Sequence, residues 1–67
     1  MNRRSPSAYT VFTPDGSPRR NAVGLVAFSR LLRDAVKQAE EGDYIQGWSS
    51  SGSPLARYGS NGRRIAS

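Results

Sequence analysis

Apolar positions change rhythm twice along the chain. From Ser7 to Thr13 the run Ser-Ala-Tyr-Thr-Val-Phe-Thr is rich in aromatic and β-branched residues and reads as a strand. Thr13-Pro14-Asp15-Gly16 closes it with proline and glycine in turn-favouring places, and Ser17-Pro18-Arg19-Arg20 continues as loop. Between Asn21 and Gly42 the spacing becomes helical. At about 100° per residue, Leu25, Phe28, Leu32, Ala35, Val36 and Ala39 share one side, with Leu31 at its edge. Asn21 suits an N-cap and Gly42 a left-handed C′ residue, so the pattern predicts a helix over about 22–41.

Beyond Gly42 the rhythm shortens to strands. Tyr44-Ile45-Gln46-Gly47-Trp48-Ser49 places Tyr44, Gln46 and Trp48 on one face, and a serine- and glycine-rich loop follows to Ser53. Pro54 to Tyr58 reads as a strand entered at proline. Asn61-Gly62 signals a hairpin with a type I′ turn, and Arg63 to Ala66 its return strand. The expected fold is therefore α+β, in the order β-α-β-β-β. One amphipathic helix packs on a three- to four-stranded, mainly antiparallel sheet, and the place of the first strand is open. Residues 1–6 are expected to be a flexible basic arm, and residues 7–67 a single compact domain.

Composition narrows the chemistry. At 67 residues the chain can bury only about 60% of its extended surface. It has no cysteine and no histidine, which removes disulfides, thiol nucleophiles and the usual zinc and iron ligands. Lys37 sits among Asp34, Glu40 and Glu41 at spacings that ordinary helix-surface ion pairs explain. Gly47, Gly52, Gly59 and Gly62 match neither a phosphate loop nor a dinucleotide fingerprint and read as turn and bulge residues. No catalytic set, cofactor or metal is expected. No apolar run approaches the ~20 residues of a bilayer span, and Ser5-Pro6-Ser7 stands where a signal segment would need apolar residues. The expected setting is cytoplasmic, and the start at Met1 suggests a complete small gene product.

Charge is uneven. The net value is +5, with nine arginines and a single lysine, Lys37. Residues 1–33 carry +5, residues 34–43 carry −3 and residues 44–67 carry +3. An acidic segment thus separates two basic ones. Arginine's planar fork suits phosphate, carboxylate and aromatic contacts.

Two candidate surfaces emerge. On the predicted helix, Arg30, Arg33 and Lys37 form a stripe, and Val23 and Val26 project to the same outer side. Apolar residues beside arginines in that position suggest a partner-binding patch, or alternatively a dimer contact. On the sheet, Tyr44, Trp48 and Tyr58 lie near Arg57, Arg63 and Arg64, and Arg19-Arg20 supplies a further doublet. Such residues serve equally as protein hot spots or as base-stacking and phosphate-neutralising groups.

The expectation is a non-catalytic basic binding protein. It would dock, as a monomer or small homodimer, on an acidic protein surface or nucleoprotein complex of a larger nucleic-acid-handling machine, as an inhibitor or adaptor. Small phage and mobile-element inhibitors, anti-CRISPR proteins among them, are similar in size and kind, an analogy of scale alone. The alternative is direct DNA or RNA binding through arginine and aromatic residues. The acidic segment and the lack of any known nucleic-acid-binding motif weigh against it.

Overall fold

A computed structural model of the chain describes residues 5–66, so Met1–Arg4 of the expected arm lie outside the described residues. The elements are β1 (Ala8–Phe12), β2 (Phe28–Ser29), α1 (Leu32–Gln38), β3 (Tyr44–Trp48), β4 (Pro54–Gly59) and β5 (Arg64–Ala66). They form one antiparallel five-stranded sheet in the order β2-β1-β3-β4-β5, with α1 packed on one face. The α+β class is as expected. The sheet has five strands where three to four were expected, and the order is β-β-α-β-β-β. The first strand lies inside the sheet, antiparallel to both neighbours.

The added strand comes out of the predicted helix. Only Leu32–Gln38 of residues 22–41 is helical, because Gly24 adopts φ +88, which a right-handed helix cannot accommodate. From Val26 to Ser29 large and small residues alternate, and alternation is strand periodicity. Ala27 and Ser29 face the helix and are buried, whereas Phe28 points out. Leu25 and Phe28, expected in the core, are 63% and 56% exposed. Asn21 caps a turn instead of a helix: its Oδ1 accepts the Val23 N–H at 2.9 Å and the Leu25 N–H at 3.1 Å. The helix ends at Ala39, three residues before Gly42.

One loop design recurs four times, in Thr13–Ser17, Asn21–Leu25, Ser49–Ser53 and Gly59–Arg63. In each, the first residue's N–H donates to the fifth residue's carbonyl, and the N–H of a fourth-place glycine donates back to the first carbonyl. Those glycines have φ between +85 and +89, and no other residue type in the described chain has positive φ. This is a three-residue hairpin loop with a left-handed glycine, a type I turn followed by a G1 bulge. The Asn61-Gly62 turn is therefore not type I′, which would need positive φ at Asn61 as well.

Two of these loops bud from the β1–β2 connection. Where they meet, the Val11 N–H donates to Ala27 O (3.2 Å), the Ala27 N–H to Arg19 O (2.8 Å) and the Arg19 N–H to Val11 O (2.9 Å). This closed ring of three backbone bonds lets residues 18–20 wedge between β1 and β2. Beneath α1, Tyr9, Val11, Ala27, Ala35 and Ile45 form the core, with Leu32, Val36, Ala39 and Tyr58 packed around them.

Candidate partner-binding surface

Opposed residues in an antiparallel pair share a face, so the register sorts the side chains. Tyr9, Val11, Ser29, Ile45 and Tyr58 face the helix. Thr10, Phe12, Phe28, Tyr44, Gln46, Trp48 and Arg57 face the other way, and the Arg20–Val26 bridge continues that face. No aspartate or glutamate holds a strand position on this second face.

Its centre is internally organised. The Phe12 and Tyr44 rings stack at 5.2 Å and 17°, and the Arg57 guanidinium sits 4.8 Å from the Tyr44 centroid. Because β1 and β4 flank β3, Phe12 and Arg57 take opposite sides of Tyr44. Trp48 Nε1 donates to Thr10 Oγ1 at 2.9 Å, and Thr10 is buried beneath it. Gln46 is buried too: its amide donates to the carbonyls of Leu55 (3.0 Å) and Ala56 (3.4 Å), where the β3–β4 register shifts.

The structure divides the residues singled out by sequence. Tyr58 belongs to the core side, edge-on to Tyr9 at 5.9 Å; burial and the neighbouring Tyr58 raise the Tyr9 phenol above its ordinary pKa. Arg19 also turns to the helix side. Its Nε and Nη2 donate to the Asp43 carboxylate, and Nη1 lies 3.3 Å from Glu40 Oε2. The Arg19 hydrogen bond holds Asp43 below the usual carboxylate range, against the opposing effect of burial. Arg20 lies on the opposite side and donates to Gly24 O at 2.9 Å. Arg63 and Arg64 are exposed at the β4–β5 end, Arg64 opposite Tyr58 and Arg63 opposite Gly59, the residue that pairs with Tyr44.

The predicted outer helix stripe is not one stripe. Arg33 and Lys37 are exposed on α1, with Arg33 3.9 Å from Asp34. Val23 and Val26 lie on the budding hairpin and its return, and Arg30 in the link to α1, because residues 22–31 are not helical. What the structure brings together instead is a nine-residue stretch, 23–31, that leaves Val23 (81%), Leu25, Val26, Phe28 and Leu31 exposed. Arg20 precedes it and Arg30 lies within it, between Phe28 and Leu31. A shallow cleft of about 410 Å³ opens beside it, where Phe28 and Arg30 meet Ala8 and the Ser49–Ser50 loop. Leu25 and Phe28 were missed as surface residues; the period-two alternation from Val26 to Ser29 finds Phe28, whereas Leu25 is exposed because it closes the Asn21–Leu25 loop.

Among the described residues no helix is long and apolar enough to cross a membrane, and no group of three or more potential ligands could hold a metal. Comparison with family models, curated proteins and solved structures gives no match.

Proposed function

We propose that this chain is a non-catalytic docking protein that binds a protein partner through the apolar stretch 23–31 together with Arg20 and Arg30. One observation carries the reading: five large apolar side chains stand exposed within nine consecutive residues. Single scattered apolar residues are normal on a surface, whereas several within one short stretch, with Arg20 and Arg30 beside them, suit a contact. Arg20 and Arg30 make no ion pair among the described residues, which suits a partner surface carrying carboxylates. An inhibitor or adaptor acting in the cytoplasm on a nucleic-acid-handling machine, as phage, mobile-element and anti-CRISPR proteins do, fits this reading by size and charge only.

Direct nucleic-acid binding is the second reading, supported by the carboxylate-free sheet face with Trp48, Phe28 and Arg57. Against it, base stacking needs free ring faces. Both faces of Tyr44 are occupied, and Tyr58 is half-buried against the core on the other side of the sheet.

The test compares the immobilised chain with a Val23→Asp/Leu25→Asp variant in nuclease-treated host extract. A protein retained after nuclease and lost from the variant is the expected result. Retention that needs intact nucleic acid favours the second reading, and equal capture by the variant overturns the first.

A further inference from the structure

The exposed stretch also contains a free sheet edge, and its backbone can be read from the hydrogen-bond alternation. In an antiparallel pair, residues that exchange N–H···O bonds alternate with residues whose N–H and C=O point away from the partner strand. Val11 N–H donates to Ala27 O, so the Val11–Ala27 position is a bonded one, and two residues on the Tyr9–Ser29 pair is bonded as well. The Thr10–Phe28 pair between them is the non-bonded kind. The N–H and C=O of Phe28 therefore point out from β2. The same logic applies one step earlier. Asn21 N–H bonds Leu25 O and Ala27 N–H bonds Arg19 O, so the bridge between Arg20 and Val26 is also non-bonded. Val26 N–H and C=O face the same open side.

Two residues at i and i+2 thus present outward backbone donors and acceptors along the edge of the sheet. Their side chains, Val26 and Phe28, project together onto the open face. Arg20 and Arg30 bracket them. A sheet edge of this kind is a template for an added strand. The opposite edge, β5, carries no aromatic side chain of its own and ends at Ala66 in the described chain.

Resting on the protein-docking reading, we propose that the β2 edge at Val26 and Phe28 accepts an extended, acidic segment of the partner as an antiparallel sixth strand. Backbone pairing at Val26 and Phe28 supplies register. Alternate side chains of the incoming strand pack on the two exposed apolar groups, and its carboxylates meet Arg20 and Arg30. Charge decides the occupant: Arg20 and Arg30 flank the edge and positions 16–33 contain no aspartate or glutamate, while Glu40 lines the cleft beside Arg20 and Ala27 and is already engaged by Arg19.

The probe is a ten-residue peptide alternating valine with glutamate, titrated into the full-length chain and followed by backbone amide NMR and hydrogen exchange. The expected result is chemical-shift change at Val26 and Phe28 with at least tenfold slower exchange of both amides at saturation. Replacing the glutamates by lysine should weaken binding at least tenfold. A synthetic chain with N-methylated Phe28 keeps every side chain but lacks the outward donor, and should lose the binding. Binding unaffected by N-methylation, or shifts confined to Val23 and Leu25 without protection at Val26 and Phe28, overturns strand addition while leaving the docking surface in place. Shifts of the same two amides on concentrating the chain alone identify a second copy as the occupant and overturn the acidic-peptide assignment. If the Val23→Asp/Leu25→Asp variant also retains its extract partner, the docking reading falls independently.

Discussion

Arg19 and Asp43, twenty-four positions apart, close a two-pronged ion pair that ties the wedge between β1 and β2 to the start of β3. The Asp43 side chain is fully buried, and its Oδ2 also accepts the Glu40 N–H at 3.0 Å, fixing the turn that leaves α1. Arg19 is thereby committed to the fold. The neighbouring Arg20, on the opposite face, is left available to a partner.

Removing the carboxylate should be costly, because it strands a half-buried guanidinium and a turn N–H together. Asp43→Ala is expected to lower the unfolding free energy by about 2 kcal/mol at neutral pH, measured by urea denaturation. The pH dependence follows from the depressed Asp43 pKa. In the unfolded chain the group titrates near 3.9, and in the folded chain lower, so its contribution is complete above about pH 4 to 5. It is lost as pH falls through the folded value. The gap between wild type and variant should therefore narrow on acidification; a gap that stays constant down to pH 2 would show that Asp43 acts by packing alone.

Gly24 and Gly62 occupy the same place in two copies of one loop, yet their surroundings differ. Both have left-handed backbones, at φ +88 and +85. A Cβ on Gly24 would meet nothing within 4 Å, whereas one on Gly62 would stand 2.9 Å from Val36 Cγ2. Gly24→Ala should cost about 1–2 kcal/mol, the backbone penalty alone. Gly62→Ala should cost about 1 kcal/mol more, through overpacking against the helix. Val36→Ala added to Gly62→Ala should cost less than it does in the wild-type background. Urea midpoints of the wild type and the four variants decide it, and equal losses at the two glycines would remove the steric part.

The strands downstream of the helix were legible because their signals are local. Tyr44 to Trp48 is rich in aromatic and β-branched residues, and glycine and serine mark both loops around β4. The helix was legible only where it packs. Leu32, Ala35, Val36 and Ala39 fit a helical stripe, but extending that stripe back through Phe28 and Leu25 picks up residues that also fit an extended chain. Asn21 misled for a physical reason: an Asx side chain accepts backbone N–H groups equally well at a helix start and in a turn. The wedge at Arg19 and the edge at Val26 and Phe28 depend on pairing across the chain, which no local window contains. Of the residues first singled out, Tyr44, Trp48 and Arg57 do share one face. Tyr58 turned inward because the β3–β4 pairing sets it opposite Ile45.

Trp48 should report on the open face. Its indole N–H bonds Thr10 Oγ1 across β1 and β3. A double-mutant cycle of Trp48→Phe and Thr10→Val is expected to give a coupling of about 1 kcal/mol, the net worth of one such hydrogen bond. Absence of coupling would mean that the indole covers Thr10 without bonding it.

Leu25 and Ala27 offer the sharpest contrast between a helix and an extended chain over residues 22–31. In a helix, Leu25 belongs to the buried stripe, and its truncation should cost about 2–5 kcal/mol. In the observed arrangement Leu25 closes an exposed loop at 63% exposure, while Ala27, two residues on, is buried against the core. Leu25→Ala should then shift stability by less than about 0.5 kcal/mol. Ala27→Leu should instead cost about 1–3 kcal/mol, because its neighbours Val11 and Ala35 leave no room. The order of the two effects is what matters. A large loss at Leu25 with tolerance at Ala27 would restore the long helix, and with it would go both the β2 edge and the surface through which the partner is proposed to bind.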